Sequence, residues 1–327
     1  QAALYLALNL LPEAETALRR AQETLRTTQQ QYELGQALYY QGLLHWQRND
    51  APAAEAALAE AEAIYTALDN AYWLHRVHLA QAAVSLRSGD LNAAAQRIAA
   101  LLDAQADATA ETDTGAATAL AFDMAGSTEL HLLAARLYLA QGDAGRAGRA
   151  VQDAAASLGL SAPDADEPTL PYLHIHLLHV AGLAARMAGD AEEARRLLTR
   201  AVELVEAQRG LLPIAELRAA FLGDKTAIYA DLIVSLLDMP GDQLANAAAV
   251  AAAFALVERA RSRSLLERLL SAVDDVQATA GLPRHVREQI IETRNRLSWL
   301  YNQLLGPGAG GSRQVMPALS AELRARE

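Results

Sequence analysis

The sequence predicts an all-α protein in which antiparallel helix pairs stack into an α-α superhelix, a solenoid followed by a C-terminal helical connector. Three observations support this fold class. Aromatic residues make up 5% of the 327 residues, while alanine and leucine are frequent, and such a composition suits closely packed helices. A two-residue turn of Gly or Asn followed by Asp recurs along the chain. Small residues stand at fixed distances from that turn, as in a helical repeat array.

The recurring turn contains the signals that end one helix and begin the next. Gly and Asn tolerate the left-handed backbone conformation that closes a helix, and an Asp side chain caps the helix that follows. Residues 1–30 fit half a repeat, with Asn9 in the place of the turn. The turn itself occurs five times, at Asn49-Asp50, Gly89-Asp90, Gly142-Asp143, Gly189-Asp190 and Gly241-Asp242.

Small residues flank each turn where two helices are expected to cross. Seven positions before the first four turns stand Gly42, Ala82, Ala135 and Gly182. Five positions after them stand Ala54, Ala94, Ala147 and Ala194. Helix axes that cross closely leave no space for large side chains, so this spacing resembles the tetratricopeptide repeat. The turns lie 40 to 53 residues apart, longer than the roughly 34 residues of that family, and Asn246 replaces the expected alanine after the fifth turn.

The pattern divides the chain into three parts. We expect repeats over residues 1–210, terminal helices over 211–272, and a helical connector with a Gly-rich linker and tail over 273–327. Residues 104–128 and 159–171 interrupt the repeat pattern. The second stretch is rich in Pro and acidic residues, which oppose burial, so it predicts an exposed surface loop. The apolar stretch 229–237 predicts a buried helix.

Composition excludes several classes of function. The formal net charge is −11, which argues against a nucleic-acid partner because such proteins need a basic face. No apolar run is long enough to span a membrane, and no signal peptide is present. The sequence begins with Gln1 in the middle of a repeat pattern, which is typical of a fragment. We therefore expect a cytoplasmic protein with neither a membrane nor a nucleic-acid partner.

Motifs for catalysis or cofactor binding are weak. Cysteine is absent, so the chain has no thiolate nucleophile and no Cys-based zinc site, and we expect neither an enzyme nor a cofactor. The stretch Gly223-Asp224-Lys225-Thr226 lacks the upstream glycine of a phosphate-binding loop. His174, His176 and His179 stand close together, but two or three imidazoles without another ligand predict a metal site poorly. We interpret them as part of a polar groove.

A concave groove is the predicted binding site. In a tetratricopeptide array the first helix of each pair lines this groove, and its positions carry over by their offset from the small residue. The tentative set is Gln36, Tyr39, Leu43, Trp46, Arg76, Leu79, Arg136, Leu139, His176, His179 and Arg186. An acidic protein that places arginines along one groove suits a peptide with acidic side chains or a C-terminal carboxylate. The alternative is that these arginines pair with Asp and Glu inside the array.

A charged helix motif marks the junction with whatever follows the repeats. Residues 253–270 read AFALVERARSRSLLERLL, and Phe221, Lys225 and Tyr229 precede them. This combination resembles the junction of bacterial TPR-CHAT proteins, in which a tetratricopeptide array leads into a caspase-like CHAT peptidase domain. The match covers residues 208–270. Its tentative junction residues are Glu258, Arg259, Arg261, Arg263 and Arg268.

The resemblance implies a protein-protein interaction and regulatory module of a CHAT-type cysteine peptidase whose catalytic domain is absent from these residues. Its partners would be a protein or peptide in the groove and the C-terminal peptidase-like domain of the parent. One rival hypothesis is the helical-repeat sensor region of a bacterial transcriptional or signal-transduction regulator. The other, an enzyme within these residues, lacks a nucleophile and metal ligands.

Overall fold

A computed structural model describes residues 1–110, 123–165, 170–212, 215–238 and 247–258 of the chain. Within these ranges the regular secondary structure is entirely α-helical, so the predicted all-α class is confirmed. The helices are α1 (Ala2–Ala7), α2 (Leu11–Thr27), α3 (Gln31–Gln47), α4 (Ala51–Ala67), α5 (Ala71–Ser88), α6 (Leu91–Ala110), α7 (Met124–Ala140), α8 (Ala144–Ser157), α9 (Pro171–Met187), α10 (Ala191–Gly210), α11 (Ala215–Leu222), α12 (Thr226–Leu237) and α13 (residues 247–258).

The recurring turns have the predicted geometry. Asn9, Asn49, Gly89, Gly142 and Gly189 have positive φ angles between 57° and 88°. The Asp that follows each of the last four caps the next helix: its side chain accepts from the backbone N–H three residues later. Each turn therefore ends one helix and starts the next within two residues. The fifth predicted turn, at residues 241–242, lies outside the described ranges.

The turns between one helix pair and the next were not recognised in the sequence. Gln29, Asp69 and Gly159 adopt φ angles of 56°, 48° and 73°. Two of them are not Gly or Asn, so the sequence carries a weaker signal there. At the second of these turns Asn70 caps α5 by accepting from the Trp73 N–H at 3.0 Å.

Crossings within the helix pairs are as tight as predicted. The crossing alanines Ala54, Ala94, Ala147 and Ala194 are all 0% exposed. A Cβ at Gly42 would lie 2.6 Å from Leu58 Cγ, and one at Gly182 would lie 2.7 Å from Leu198 Cγ. Because real Cβ atoms do not approach this closely, the leucine of the second helix occupies the space that the glycine leaves open.

Helices α1, α3, α5, α7 and α9 form one layer, which we call the layer of odd-numbered helices. Each of α3, α5, α7 and α9 contacts the previous odd-numbered helix and packs closely on the even-numbered helix after it. After α10 the order changes, because the short α11 intervenes and α12 takes the next place beside α9 and α10. The largest buried cluster extends from Leu79 in α5 to Leu256 in α13. The array thus brings one face of several helices, far apart in sequence, to a common surface.

Two stretches differ from their predictions. Helix α6 extends through Ala110, so the first insertion begins later than residue 104, and residues 111–122 lie outside the described ranges. The described part of 159–171 is mostly half-buried rather than exposed. The Pro163 carbonyl oxygen lies 2.7 Å from His174 Nε2, and the Asp164 carboxylate pairs with Arg196. Those two contacts hold the segment against α9 and α10.

At the C-terminal side the predictions are tested only in part. Helix α12 buries Ile228, Tyr229 and Leu232, but Val234 and Leu237 are 43% and 50% exposed, so only one face of the predicted buried helix is covered. Of the junction residues, Glu258 is described and exposed. Arg259, Arg261, Arg263, Arg268 and the connector 273–327 lie outside the described residues. No described helix has the length and hydropathy needed to cross a bilayer.

Candidate functional site

A cavity of about 330 Å³ opens on the layer of odd-numbered helices. Helices α1, α3, α5, α7 and α9 all contribute side chains to it, and Asp224 lines it from the turn between α11 and α12. Seven predicted groove residues line this cavity: Tyr39, Leu43, Trp46, Arg76, Leu79, Arg136 and His176. The repeat register thus placed seven of the eleven predicted groove residues on this cavity.

The remaining predicted groove residues lie elsewhere. Leu139 packs against the main buried cluster, and Gln36 is half-buried but does not line the cavity. His179 and Arg186 both face α12: His179 Nε2 lies 2.7 Å from Asp231 Oδ2, and Arg186 Nη2 lies 3.6 Å from Asp231 Oδ1. Helix α12 covers this end of the groove, so these two residues are engaged with the protein itself.

Aromatic side chains form one wall of the cavity. Tyr39 packs edge-on against Tyr40 and Trp73, with ring centroids 5.3 and 5.4 Å apart. Burial raises the pKa of Tyr39 to about 12, so its hydroxyl stays protonated at neutral pH. The Arg87 guanidinium lies over the Trp46 ring, 5.1 Å from its centroid. The Trp46 indole N–H is buried and has no hydrogen-bond partner in the described part of the chain.

Arg76 and Glu129 form a loose pair in the cavity. Arg76 Nη2 donates to the Tyr39 hydroxyl at 3.4 Å and lies 3.9 Å from Glu129 Oε2. Burial raises the pKa of Glu129, and the attraction of Arg76 and Arg136 opposes this shift only in part. Two guanidinium groups therefore attract the Glu129 carboxylate, and Arg76 is the nearer of the two.

Arg136 has an unusual neighbour for a half-buried cation. Its Nη2 lies 3.3 Å from Nδ1 of His176, whose ring packs edge-on against Tyr172 at 4.6 Å. Burial lowers the pKa of His176 well below its usual value, and the Arg136 charge lowers it further. The imidazole is therefore neutral and accepts the Arg136 N–H at Nδ1. Burial also lowers the pKa of Arg136. Among the described residues, no carboxylate lies within 4 Å of the Arg136 guanidinium nitrogens.

The three predicted groove arginines differ in whether a carboxylate of the array pairs with them. Arg76 pairs loosely with Glu129, Arg186 pairs with Asp231, and Arg136 contacts only a neutral ring. Pairing inside the array, the alternative raised by the sequence, thus holds for two of the three. Arg136 is the one of the three that has no carboxylate partner among the described residues.

Several lining residues were missed in the tentative site. Tyr172 stands one helical turn before His176, a spacing that places both on one face, and this periodicity was a usable signal. Asp224 and the α1 residues Ala3, Leu6 and Ala7 also line the cavity, and no local pattern marks them. Asp224 Oδ1 accepts from Lys225 Nζ at 2.6 Å, so its charge is locally balanced.

The α1–α2 turn lies against the turn that follows α11. A Cβ built at Gly223 would overlap the side chain of Asn9. Since α1 and Asp224 both line the cavity, this contact joins two parts of its wall that lie more than 200 residues apart in sequence. We call the contact between Asn9 and Gly223 the clasp.

The histidine cluster does not assemble into a metal site. His174 is directed to the Pro163 carbonyl, His176 to Arg136 and His179 to Asp231. His176 and His179 are three positions apart on one face of α9 but turn to partners on different helices, and His174 lies on another face, so the three imidazoles do not converge. Within the described ranges no group of three or more His, Cys, Asp or Glu residues is placed to hold a metal ion.

Comparisons with known proteins leave the family of this chain open: no protein-family model, no curated protein and no solved structure matches it.

Proposed function

We propose that this chain is a recognition and regulatory module whose cavity on the odd-numbered helices binds the end of a peptide or protein partner. The observation that carries the proposal is the cavity itself, because it combines an aromatic wall with a half-buried cation that has no carboxylate partner among the described residues. Concave sites of this kind, apolar with a few convergent polar groups, are where ligands bind most often.

The size of the cavity favours a short ligand segment. A volume of about 330 Å³ is at the small end of the roughly 300–1,000 Å³ of small-molecule sites. Helix α12 engages His179 and Arg186 at one end of the predicted groove, so a long segment has no path along all of its positions. One or two terminal residues of a partner, inserted from the open side, suit this space best.

The wider assignment to the repeat region of a TPR-CHAT protein is part of the same proposal. It is supported by the Glu258–Ser264 motif in the sequence and by tight helix pairs with small residues at their crossings. The second candidate is the sensor region of a bacterial regulator, and the small volume of the cavity favours it, since small-molecule sites enclose most of their ligand. Sequencing the reading frame around this chain separates the two. A His and a later Cys, each after an apolar strand, indicate the peptidase, whereas a helix-turn-helix indicates the regulator.

Affinity selection from a random synthetic peptide library, read out by mass spectrometry, tests the binding function. Enriched peptides should bind the wild-type chain and lose affinity for Leu43→Glu, whose side chain lines the cavity. Ala156→Glu, on the exposed face of α8, is the matched control and should bind normally. Circular dichroism verifies that both variants fold. If no peptide is enriched, or if enriched peptides bind the Leu43 variant as well as wild type, the proposed function is wrong.

A further inference from the structure

We infer that the Arg136 end of the cavity is a carboxylate site, which takes a single negative charge carried on an apolar body. The inference rests on the proposed function and specifies which chemical group of the ligand enters the cavity. Three features of the cavity support it: the charges of its lining residues, the Arg136 N–H donors that have no partner in the described structure, and the apolar wall.

The charges around the cavity leave one unit uncompensated. Asp224 is balanced by Lys225 at 2.6 Å. Glu129 is the remaining lining acid, and it faces two cations, Arg76 at 3.9 Å and Arg136 at a longer distance. Burial and the Arg136 charge hold the pKa of His176 well below its usual value, so the ring is neutral. A half-enclosed site with one excess positive charge is neutralised by a monoanion, and a dianion would reverse the imbalance.

Arg136 has the hydrogen-bonding capacity for such a ligand. A guanidinium group carries five N–H donors in a planar fork that matches the two oxygens of a carboxylate. Only one of these donors has a partner within the described structure, the neutral His176 ring. The half-buried Arg136 guanidinium is bordered by an apolar wall that offers it few hydrogen-bond partners, so a ligand carboxylate provides the acceptors that the wall does not.

The rest of the wall selects an apolar body for the ligand. Leu79 and Leu132 are buried lining residues on α5 and α7, and Leu43 and Trp46 face the same space from α3. Inorganic anions would leave this surface uncovered, whereas a carboxylate attached to an aromatic or branched aliphatic group buries it. Two sources share this chemistry: the last residue of a peptide and a free organic acid.

Binding of defined probes tests the site. We expect 3-phenylpropanoate to bind wild-type protein by calorimetry, and the neutral 3-phenylpropanamide to bind at least about tenfold more weakly because it lacks the charge. Arg136→Gln should reduce 3-phenylpropanoate affinity by at least about tenfold, and Arg136→Lys should reduce it less, since the charge remains but the fork is lost. Arg146→Gln, an exposed cation paired with Asp143 on α8, is the matched control and should bind as wild type.

The arms of the experiment separate the sources and the failures. If N-acetyl-Leu-Phe binds more tightly than 3-phenylpropanoate, and its affinity is lost when its C-terminus is amidated, the natural ligand is a peptide end. If the two acids bind equally well, the natural ligand is a free organic acid. Three results would overturn the inference. The first is no binding of 3-phenylpropanoate at millimolar concentration, and the second is equal binding of the acid and the amide. The third is a folded Arg136→Lys variant that binds 3-phenylpropyl phosphate more tightly than wild type binds 3-phenylpropanoate. If enriched peptides lose affinity for Leu43→Glu but need no carboxylate, the inference is wrong and the proposed function stands. If 3-phenylpropanoate binds but no enriched peptide depends on Leu43, the carboxylate site stands and the proposed function is wrong.

Discussion

Leu58 of α4 fills the space beside Gly42 of α3: a Cβ built on the glycine would lie 2.6 Å from Leu58 Cγ. Leu198 of α10 and Gly182 of α9 repeat the relationship at 2.7 Å. In each pair the even-numbered helix places a branched side chain where the odd-numbered helix has none. This packing sets the distance between the two helices of a pair, and it is the first feature of the array to test.

We expect Gly42→Ala to lower the free energy of unfolding by about 1–3 kcal/mol, because the new methyl group forces Leu58 or the helix axis to move. The matched control is Gly148→Ala in α8, where an added Cβ meets nothing within 4 Å. There the better helix propensity of alanine should stabilise the protein by roughly 0.5–1 kcal/mol. Urea unfolding of both variants measures the difference, and the same sign in both would contradict the packing relationship.

Ala147→Leu should also destabilise the array by about 1–3 kcal/mol through overpacking, since Ala147 is 0% exposed at the crossing of α7 and α8. Ala156→Leu, on the exposed side of α8, should leave stability within about 0.5 kcal/mol. Thermal midpoints of the two variants provide the comparison. An unchanged midpoint for Ala147→Leu means that the repeat register is wrong at this crossing.

The clasp is testable by cross-linking, because the chain contains no cysteine. Asn9→Cys/Gly223→Cys should form an intramolecular disulfide under mild oxidation, since the Asn9 Cγ position lies 3.3 Å from the Cβ built at residue 223. Asn9→Cys/Ala156→Cys is the control pair and should stay reduced. Gel mobility and mass measure the product. Failure of the clasp pair to cross-link, while both thiols react with maleimide, would show that the two turns are not in contact.

His75 should make the stability of the array depend on pH. Burial, with a smaller contribution from Arg76, lowers the pKa of this ring from 6.5 to about 4. The unfolded chain therefore binds a proton below pH 6.5 that the folded chain refuses, so stability is full above pH 6.5 and falls as the pH drops toward 4. The loss between pH 7 and pH 5 should be on the order of 1–2 kcal/mol.

His75→Gln isolates this effect from the other titrating groups. Urea unfolding at both pH values should show a smaller pH dependence for the variant than for wild type, because the glutamine does not titrate. His176, whose pKa is also lowered, remains in both proteins and is common to the comparison. An identical pH dependence in the two proteins would assign the acid sensitivity to other groups.

Local chemistry explains which parts of the fold were predictable. A left-handed residue followed by a capping Asp is encoded within two positions, as at Gly142-Asp143. The same holds for the crossing alanines, whose small size is recognisable wherever they recur at the same offset. The turns at Gln29 and Asp69 escaped recognition because their residue types carry no strong preference for positive φ.

The groove was predictable only as a set of helix faces. The offset from the small residue placed Arg76, Arg136 and Arg186 on one layer, but it did not reveal the partner of each. Glu129 lies 53 residues after Arg76, and Asp231 lies 45 residues after Arg186, so no short-range pattern links the pairs. The expected exposure of residues 159–171 failed for the same reason, since Arg196 and His174, which hold that segment, lie on later helices.

Local residue preferences predicted the helical class, the turns within helix pairs, the crossing residues and seven of the groove residues, because each of these depends on residues that are near in the sequence. The stacking of the helix pairs established that α12 engages His179 and Arg186, that Asn9 meets Gly223, and that Arg136 lies beside a neutral ring. These outcomes depend on how small rotations between successive helix pairs accumulate. Asn9 and Gly223, near opposite ends of the array, meet only when all the helix pairs between them are in place.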